Sequence, residues 1–359
     1  MSVLLIVVGF AGLIVGAEML VRGASRLASV VGVPPLIIGL TIVAYGTSAP
    51  EFAVSLKASL AGSPDIALGN VVGSNIFNIL FILGASALIT PLSVSRQLIR
   101  LDVPLMIFVS VLTWLLSVNG AIGRLEGFFL FAGVLTYTVF LIVKGRRETR
   151  GNSVPEQGQA GKPAESEKRV ILKALAWVCL GLFAVVVGSR WLVSGAVDLA
   201  RTLGVSELVI ALTIVATGTS LPEVATSIVA SLRGQRDIAV GNVVGSNVFN
   251  LLGVLGASAL VSGGVPISEQ ALKGDIPVMV AAAVACFPIF FTSVEISRWE
   301  GGIFLFYYLV YLVYLVLHAT GHGLLTGFLA GIWWFALPLT AGAIIVSFVH
   351  SLRSRPPHA

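Results

Sequence analysis

The chain has 359 residues, of which 57% are hydrophobic and only 11% charged, with a mean hydropathy of +0.99. Soluble domains carry about 25% charged residues, so a water-soluble fold is excluded, and the alternating ten-residue pattern of a membrane barrel is missing, which leaves an all-α membrane protein. The net charge of +5 does not point to nucleic acid, because eight of the 22 Lys and Arg residues crowd into one polar segment, Lys144 to Lys173.

The first apolar run, 3–22, lacks a basic leader and carries Glu18 and Arg22 where a signal-peptide cleavage site would fall, so it reads as a retained helix. Runs near 36–60, 66–89, 99–118 and 125–143 follow, each about the 20 residues that cross the hydrocarbon core. The segment 144–170 is rich in Gly, Pro, Ser, Gln and Glu and reads as a flexible linker. Five more runs lie near 171–193, 207–231, 238–261, 276–294 and 300–317, and a last one near 324–349. The expected organisation is a five-helix repeat over 1–143, a cytoplasmic linker over 144–170, a second five-helix repeat over 171–318, and an accessory eleventh helix with a basic tail over 319–359.

Residues 39–90 and 211–262 align without a gap, and 35 of the 52 aligned positions are identical, which makes the second half a copy of the first. Gly46-Thr47-Ser48 with Pro50-Glu51 matches Gly218-Thr219-Ser220 with Pro222-Glu223. The likeness extends outward: Gly16-Ala17-Glu18 echoes Gly188-Ser189-Arg190, Asp102 echoes Asp275, and Arg124 echoes Arg298. Five crossings per copy is an odd number, so tandem copies must run in opposite senses through the bilayer, giving a ten-helix core of inverted repeats. Placing the linker in the cytoplasm puts the N-terminus outside and the C-terminus inside. Arg22, Arg26, Arg96, Arg100, Arg233, Arg236, Arg298, Arg353 and Arg355 then fall inside, against Lys57, Arg124, Arg201 and Lys273 outside, and this positive-inside bias supports the orientation.

Carboxylates and broken backbone in mid-membrane are costly and mark function. Pro50 and Pro222 have no amide proton and clash with the carbonyl four residues back, so carbonyls near Ala44, Gly46 and Ala216 are expected to turn inward as free oxygen ligands. Gly69 and Gly73 make a small-residue face suited to close helix approach. Asn70, Ser74 and Asn78 fall four apart on one helical face, and Asn242, Ser246 and Asn250 repeat them. Asn70 and Asn242 read equally well as ligands or as interhelical glue. Combining the halves gathers Glu51, Glu223, Thr47, Thr219, Ser48, Ser220, Ser74, Ser246, Asn78 and Asn250 with the Ala44 and Ala216 carbonyls. All are hard oxygen donors. Such a set suits Ca²⁺, which takes six to eight oxygens, and lacks the imidazole and thiolate of transition-metal sites. An ionised acid at this depth costs about 2.5–3.5 kcal/mol on an insertion scale, so a site emptied of Ca²⁺ should refill with Na⁺ or protons. Competition for one neutralised site is the physical root of exchange.

The paired Gly-Thr-Ser-x-Pro-Glu and Gly-Ser-Asn-x-Phe-Asn motifs resemble the alpha repeats of the cation/Ca²⁺ exchanger superfamily, closest to compact prokaryotic sodium/calcium exchangers. The resemblance implies four central cation positions and alternating access by sliding of the first and sixth helices. It implies Glu51 and Glu223 as the main Ca²⁺ ligands, completed by Thr47, Thr219, Ser74, Ser246 and the carbonyls of Ala44 and Ala216. The family often carries Asp at one of the places held here by Asn78 and Asn250, which leaves the number of Na⁺ per Ca²⁺ open. No cofactor is expected; the partners are inorganic cations and the lipid bilayer, with oligomeric state undetermined.

A Ca²⁺/H⁺ antiporter of the same fold is the first alternative and a passive channel the second, although channel filters generally arise between symmetric subunits. An enzyme is not expected, since no His-Glu-x-x-His and no convincing Asp pair occurs. His318 and His322 have metal-compatible spacing but read as interfacial. Glu18 and Arg190 could pair with each other or find separate local partners. Cys179 and Cys286 read as isolated small hydrophobes, and Trp333 and Trp334 have no functional account.

Overall fold

Glycine and proline set where the helices stop. The computed structural model describes residues 1–151, 167–293 and 295–342. The middle of the expected linker, the end of the last apolar run and the basic tail lie outside these residues. Helix α1 (Ser2–Val31) ends at Gly32, whose φ of 73° is open to a residue without Cβ, and Pro34 and Pro35 start the next helix. The first repeat continues with α2 (Pro35–Thr47), α3 (Ala49–Leu60), α4 (Pro64–Ile89), β1 (Leu92–Ser93), α5 (Leu98–Ser117), β2 (Ala121–Gly123) and α6 (Arg124–Gly151). The second holds α7 (Glu167–Thr202), α8 (207–218), α9 (Leu221–Leu232), α10 (Arg236–Ser262), β3 (Gly264–Pro266), α11 (Ala271–Phe291), β4 (Glu295–Ile296) and α12 (Arg298–Ala319). Among the described residues nine helices are long and apolar enough to cross a membrane, and the α2–α3 pair, bent by 45°, makes a tenth. α6 and α7 run past the apolar runs 125–143 and 171–193, because hydropathy marks the bilayer and not the helix ends.

The two halves grip each other in mirrored pairs. β1 pairs with β4 and β2 with β3, both antiparallel. With five crossings per repeat, these two ribbons lie at opposite ends of the bundle. α6 packs on α10, where Gly127 meets the Gly256 backbone and Arg124 caps the Leu260 carbonyl at 3.2 Å. α12 packs on α4 in the same way, through Gly301 on Gly84 and Arg298 on the Ile89 carbonyl at 3.4 Å. A cation at a helix C-terminus is the favourable sense. The buried Asp102 accepts from Tyr137 at 2.9 Å and Gln97 at 3.1 Å, and Asp275 accepts from Tyr311 at 2.9 Å, so each of these acids ties neighbouring helices of its own repeat.

α4 and α10 form the centre, with 72% and 94% of their most apolar stretches buried, whereas those of α1 and α7 are only 28% and 22% buried. α1 and α7 lie at the edge and clasp each other. Gly9, Gly16 and Gly23 on one, and Gly181, Gly188 and Gly195 on the other, recur every seven residues. A Cβ at Gly9 would stand 2.5 Å from Leu192 N, and one at Gly181 2.5 Å from Leu20 N, so only glycine admits this backbone contact.

The accessory helix α13 (Leu325–Gly342) meets the core where Tyr307 donates to the Ala336 carbonyl at 3.0 Å and contacts Thr340 at 2.8 Å. An apolar cavity of about 560 Å³ remains between it, α11 and α12, with Trp333 in its wall. His318 lies against the Tyr314 ring, and His322 Nδ1 accepts the Leu324 amide at 3.2 Å, so the two histidines have separate local roles.

Candidate cation site

Each repeat breaks its second crossing one residue before a proline-led helix. α3 begins Ala49-Pro50-Glu51 and α9 begins Leu221-Pro222-Glu223, so both acids sit in a first helical turn, where the exposed amides and the dipole favour negative charge. A widened π turn precedes each break, Gly39–Val43 and Ala211–Val215, and another starts at each of Asn78 and Asn250. Such turns often mark functional sites. Glu51 and Glu223 are 0% and 1% exposed.

The repeats exchange hydroxyls across the centre. Ser220 donates to Glu51 Oε1 at 2.7 Å, and Ser48 donates to Glu223 Oε1 at 2.9 Å. Ser220 also lies 3.1 Å from Ser74 Oγ. Thr47 donates to Asn242 Oδ1 at 3.1 Å, and Thr219 to Asn70 Oδ1 at 3.4 Å. Asn70 and Asn242 in turn donate to the Glu51 and Glu223 carbonyls at 3.2 and 3.5 Å and to Ser55 and Ser227 at 2.8 and 3.0 Å. Asn250 donates to Asn75 Oδ1 at 3.1 Å, and Asn75 to the Asn247 carbonyl at 3.2 Å. Five acceptor oxygens of this centre are buried with no donor among the described residues: Glu51 Oε2, Glu223 Oε2, Asn78 Oδ1, Asn247 Oδ1 and Asn250 Oδ1. Buried acceptors are normally satisfied, and oxygens converging on two acids in this way suit a bound cation.

The two copies share this chemistry but not their surroundings. On the α10 side, Gly241 and Gly245 are pressed against α2: a Cβ at Gly245 would lie 2.6 Å from Leu40 O and 2.8 Å from Ala44 Cβ. At Gly69 and Gly73, the matching places on α4, a Cβ would meet nothing within 4 Å among the described residues. Thr47 and Asn242 are fully buried, while their counterparts Thr219 and Asn70 are partly exposed. The centre is therefore sealed along α2–α10 and open along a cleft between α4 and α8.

All the oxygen donors singled out from the sequence lie on the broken crossings or on α4 and α10. Two expectations need correction. The Gly69–Gly73 face receives no close helix, because α8 stands off; the mirrored Gly241–Gly245 face does. The Ala44 carbonyl is not left free by the break: it accepts the Ser48 amide at 3.0 Å and lies 3.3 and 3.4 Å from the Thr47 and Ser246 hydroxyls, because the helix continues to Thr47 before it turns. Ala216 is exposed on the open side. Asn70 and Asn242 do serve as glue, bracing the backbone of the two acids. Sequence reasoning misses Asn75, Asn247, Ser55 and Ser227. Asn75 stands inside the Gly-Ser-Asn-x-Phe-Asn motif, and Ser55 and Ser227 lie one helical turn beyond each glutamate, which is the available signal.

A pseudo-symmetric membrane bundle with two acids and converging hydroxyls, amides and carbonyls at its broken centre defines a cation transporter. The chain belongs to the sodium/calcium exchanger protein family, which it matches over residues 1–143 and 173–317. It is 39% identical to the inner membrane protein YrbG of Escherichia coli K12 over 282 residues, 78% of this chain and 86% of the relative. It is 32% identical to the sodium/calcium exchanger MaX1 of Methanosarcina acetivorans over 342 residues, 87% of this chain and 97% of the relative. Its fold is similar to that of the sodium-calcium exchanger NCX_Mj soaked with 10 mM Na⁺, with a TM-score of 0.75 at 28% identity, covering 87% of this chain and 98% of the other. The protein is an integral membrane cation/Ca²⁺ antiporter and not an enzyme.

Proposed function

We propose that the protein exchanges Ca²⁺ for Na⁺ by alternating access, with Glu51 and Glu223 as the paired carboxylate ligands. The hydroxyls of Thr47, Ser48, Ser74 and their mirrors Thr219, Ser220 and Ser246, the amide oxygens of Asn78 and Asn250, and the carbonyl near Ala216 complete the cation positions, while the Ala44 carbonyl holds the Ser48 amide in the arrangement described. The observation that carries this reading is the set of five unpartnered buried acceptors provided by the two acids and the amides around them. Two carboxylates match the charge of one Ca²⁺, and uncharged oxygens complete the six to eight ligands it prefers. Na⁺ is also a hard cation served by hydroxyls and carbonyls, and both MaX1 and NCX_Mj are named as exchangers of sodium and calcium. Asn78 and Asn250 are both neutral, so the charge that Ca²⁺ balances rests on the two glutamates alone. The same reading places the protein in a prokaryotic inner membrane with its N-terminus outside, which makes the α4–α8 cleft the external entrance.

The test is ⁴⁵Ca²⁺ uptake into proteoliposomes under an imposed Na⁺ gradient and, separately, under a pH gradient. Uptake driven by Na⁺ alone is the expected result. Uptake that needs only the pH gradient would make the counter-ion H⁺.

A further inference from the structure

Pro222 cannot donate to the carbonyl four residues back, which is that of Gly218. A side chain from the edge of the molecule fills the gap: the buried Ser189 hydroxyl of α7 donates to Gly218 O at 2.8 Å. Gly218 leads directly into Thr219 and Ser220, and Ser220 holds Glu51. A single hydroxyl thus joins α7 to the turn that orients the carboxylate of the other repeat.

The first repeat has no such link. The residue equivalent to Ser189 is Ala17, and the carbonyl equivalent to Gly218 is that of Gly46, four residues before Pro50. α7 reaches both turns, since a Cβ at Gly46 would meet Leu182 and one at Gly218 would meet Val193. The α1–α7 pair also leans toward the second repeat. Leu13 and Ala17 pack with Leu221, Ala225 and Val229, and Glu18 pairs with Arg233 at 2.7 Å as well as with Arg22. By the repeat symmetry a matching ion pair would join Arg190 to Ala61, which has no charge.

Two copies of one sequence in two environments imply that the environments can be exchanged. In the exchanged arrangement α1 takes the place of α7, and Ala17 faces the Gly46 carbonyl with nothing to donate. We propose that Ser189 is a positioning residue whose bond to Gly218 exists in only one access state and weights the equilibrium toward the conformation open along α4–α8. The proposal rests on the alternating-access reading above, and the two fail in different measurements.

Spin labels at Ile66→Cys and Val205→Cys, two exposed positions flanking the cleft on α4 and just before α8, report the open and closed populations as a distance distribution. Cys179 and Cys286 are replaced beforehand, and the protein stays in liposomes at fixed Na⁺ without added Ca²⁺. Ser189→Ala should lower the open-to-closed ratio by about fivefold, the weight of one net hydrogen bond. Ser189→Thr keeps the donor and should hold the ratio. Ala17→Ser gives the exchanged state the bond it lacks and should lower the ratio in the same direction. An unchanged ratio in both Ser189→Ala and Ala17→Ser overturns the proposal, as does a Thr variant that shifts it as far as Ala does, since that marks a steric role. Glu51→Gln is assayed in parallel for ⁴⁵Ca²⁺ uptake. If it is inactive while the ratios stay put, the Ser189 inference alone fails; if it transports normally, the cation-site reading fails whatever the labels report.

Discussion

The α2–α10 and α4–α8 contacts are built from nearly the same residues, yet one is closed and the other open. Gly241 and Gly245 carry the backbone of α2 against them, and among the described residues nothing approaches Gly69 and Gly73 so closely. Amino-acid preference cannot explain the difference, so it must come from what lies around each copy. The α1–α7 pair rests on α9 through Leu13, Ala17 and Glu18, and among the described residues no equivalent ion pair holds α3. The lesson is that nearly one sequence takes two packings here, and differences outside the duplicated core set which copy takes which.

The largest way to break the comparison is to remove its shared centre. Glu51→Gln and Glu223→Gln should each lower Ca²⁺ transport by about a hundredfold or more, because a neutral amide loses the charged ligand and roughly 3 kcal/mol of binding. Expression and melting temperature should stay near those of the parent. Transport at the parental rate in either variant would remove that acid from the site.

A paired glycine substitution sharpens the contrast. Gly245→Ala forces a Cβ into the Leu40 carbonyl and should cost about 1–3 kcal/mol of stability, read as a lower melting temperature in detergent. Gly73→Ala meets nothing and should melt like the parent. It should nonetheless slow exchange, because the exchanged arrangement needs α8 to approach at that position. Equal melting and equal transport in the two variants would mean that the cleft never closes along this face.

Charge can be added to one side alone. Asn250→Asp should change the Na⁺ or pH dependence of Ca²⁺ flux more than the apparent Ca²⁺ affinity, because a third carboxylate in the centre needs an extra cation to neutralise it. Unaltered coupling would mean that Asn250 does not line the cation path. The smallest effect belongs to the Glu18–Arg233 pair. It is partly exposed, and such pairs contribute about 0–1 kcal/mol, so Arg233→Gln should move the open-to-closed ratio less than Ser189→Ala does.

Much of this architecture is legible in the amino-acid sequence. The ungapped repeat locates both broken crossings, both glutamates and the inverted halves, because intramembrane acids and prolines stand out from an apolar background. Which copy is packed is not legible. Gly73 and Gly245 occur in the same Gly-Asn-Val-Val-Gly-Ser-Asn string, and only the surroundings distinguish them. The Ala44 carbonyl departs from expectation because the proline rule says which donor is lost and not where the helix turns. Ser189 is inconspicuous because Ser against Ala in an alignment looks like an exchange of small residues; its meaning depends on the Gly218 carbonyl, 29 positions away in sequence. The seven-residue spacing of glycines in α1 and α7 is visible in the sequence, but its role appears only when the helices lie antiparallel.

That glycine clasp has a consequence for leakage. α1 and α7 come from opposite repeats and meet backbone to backbone, so under the proposed alternating access they would move as one body. A shift that relieves one broken crossing presses on the other, as the two ends of a beam rise and fall together. For water and ions to pass straight through, both clefts would have to gape at once, and the welded helices would have to part along their direct main-chain contacts at Gly9, Gly16 and Gly23.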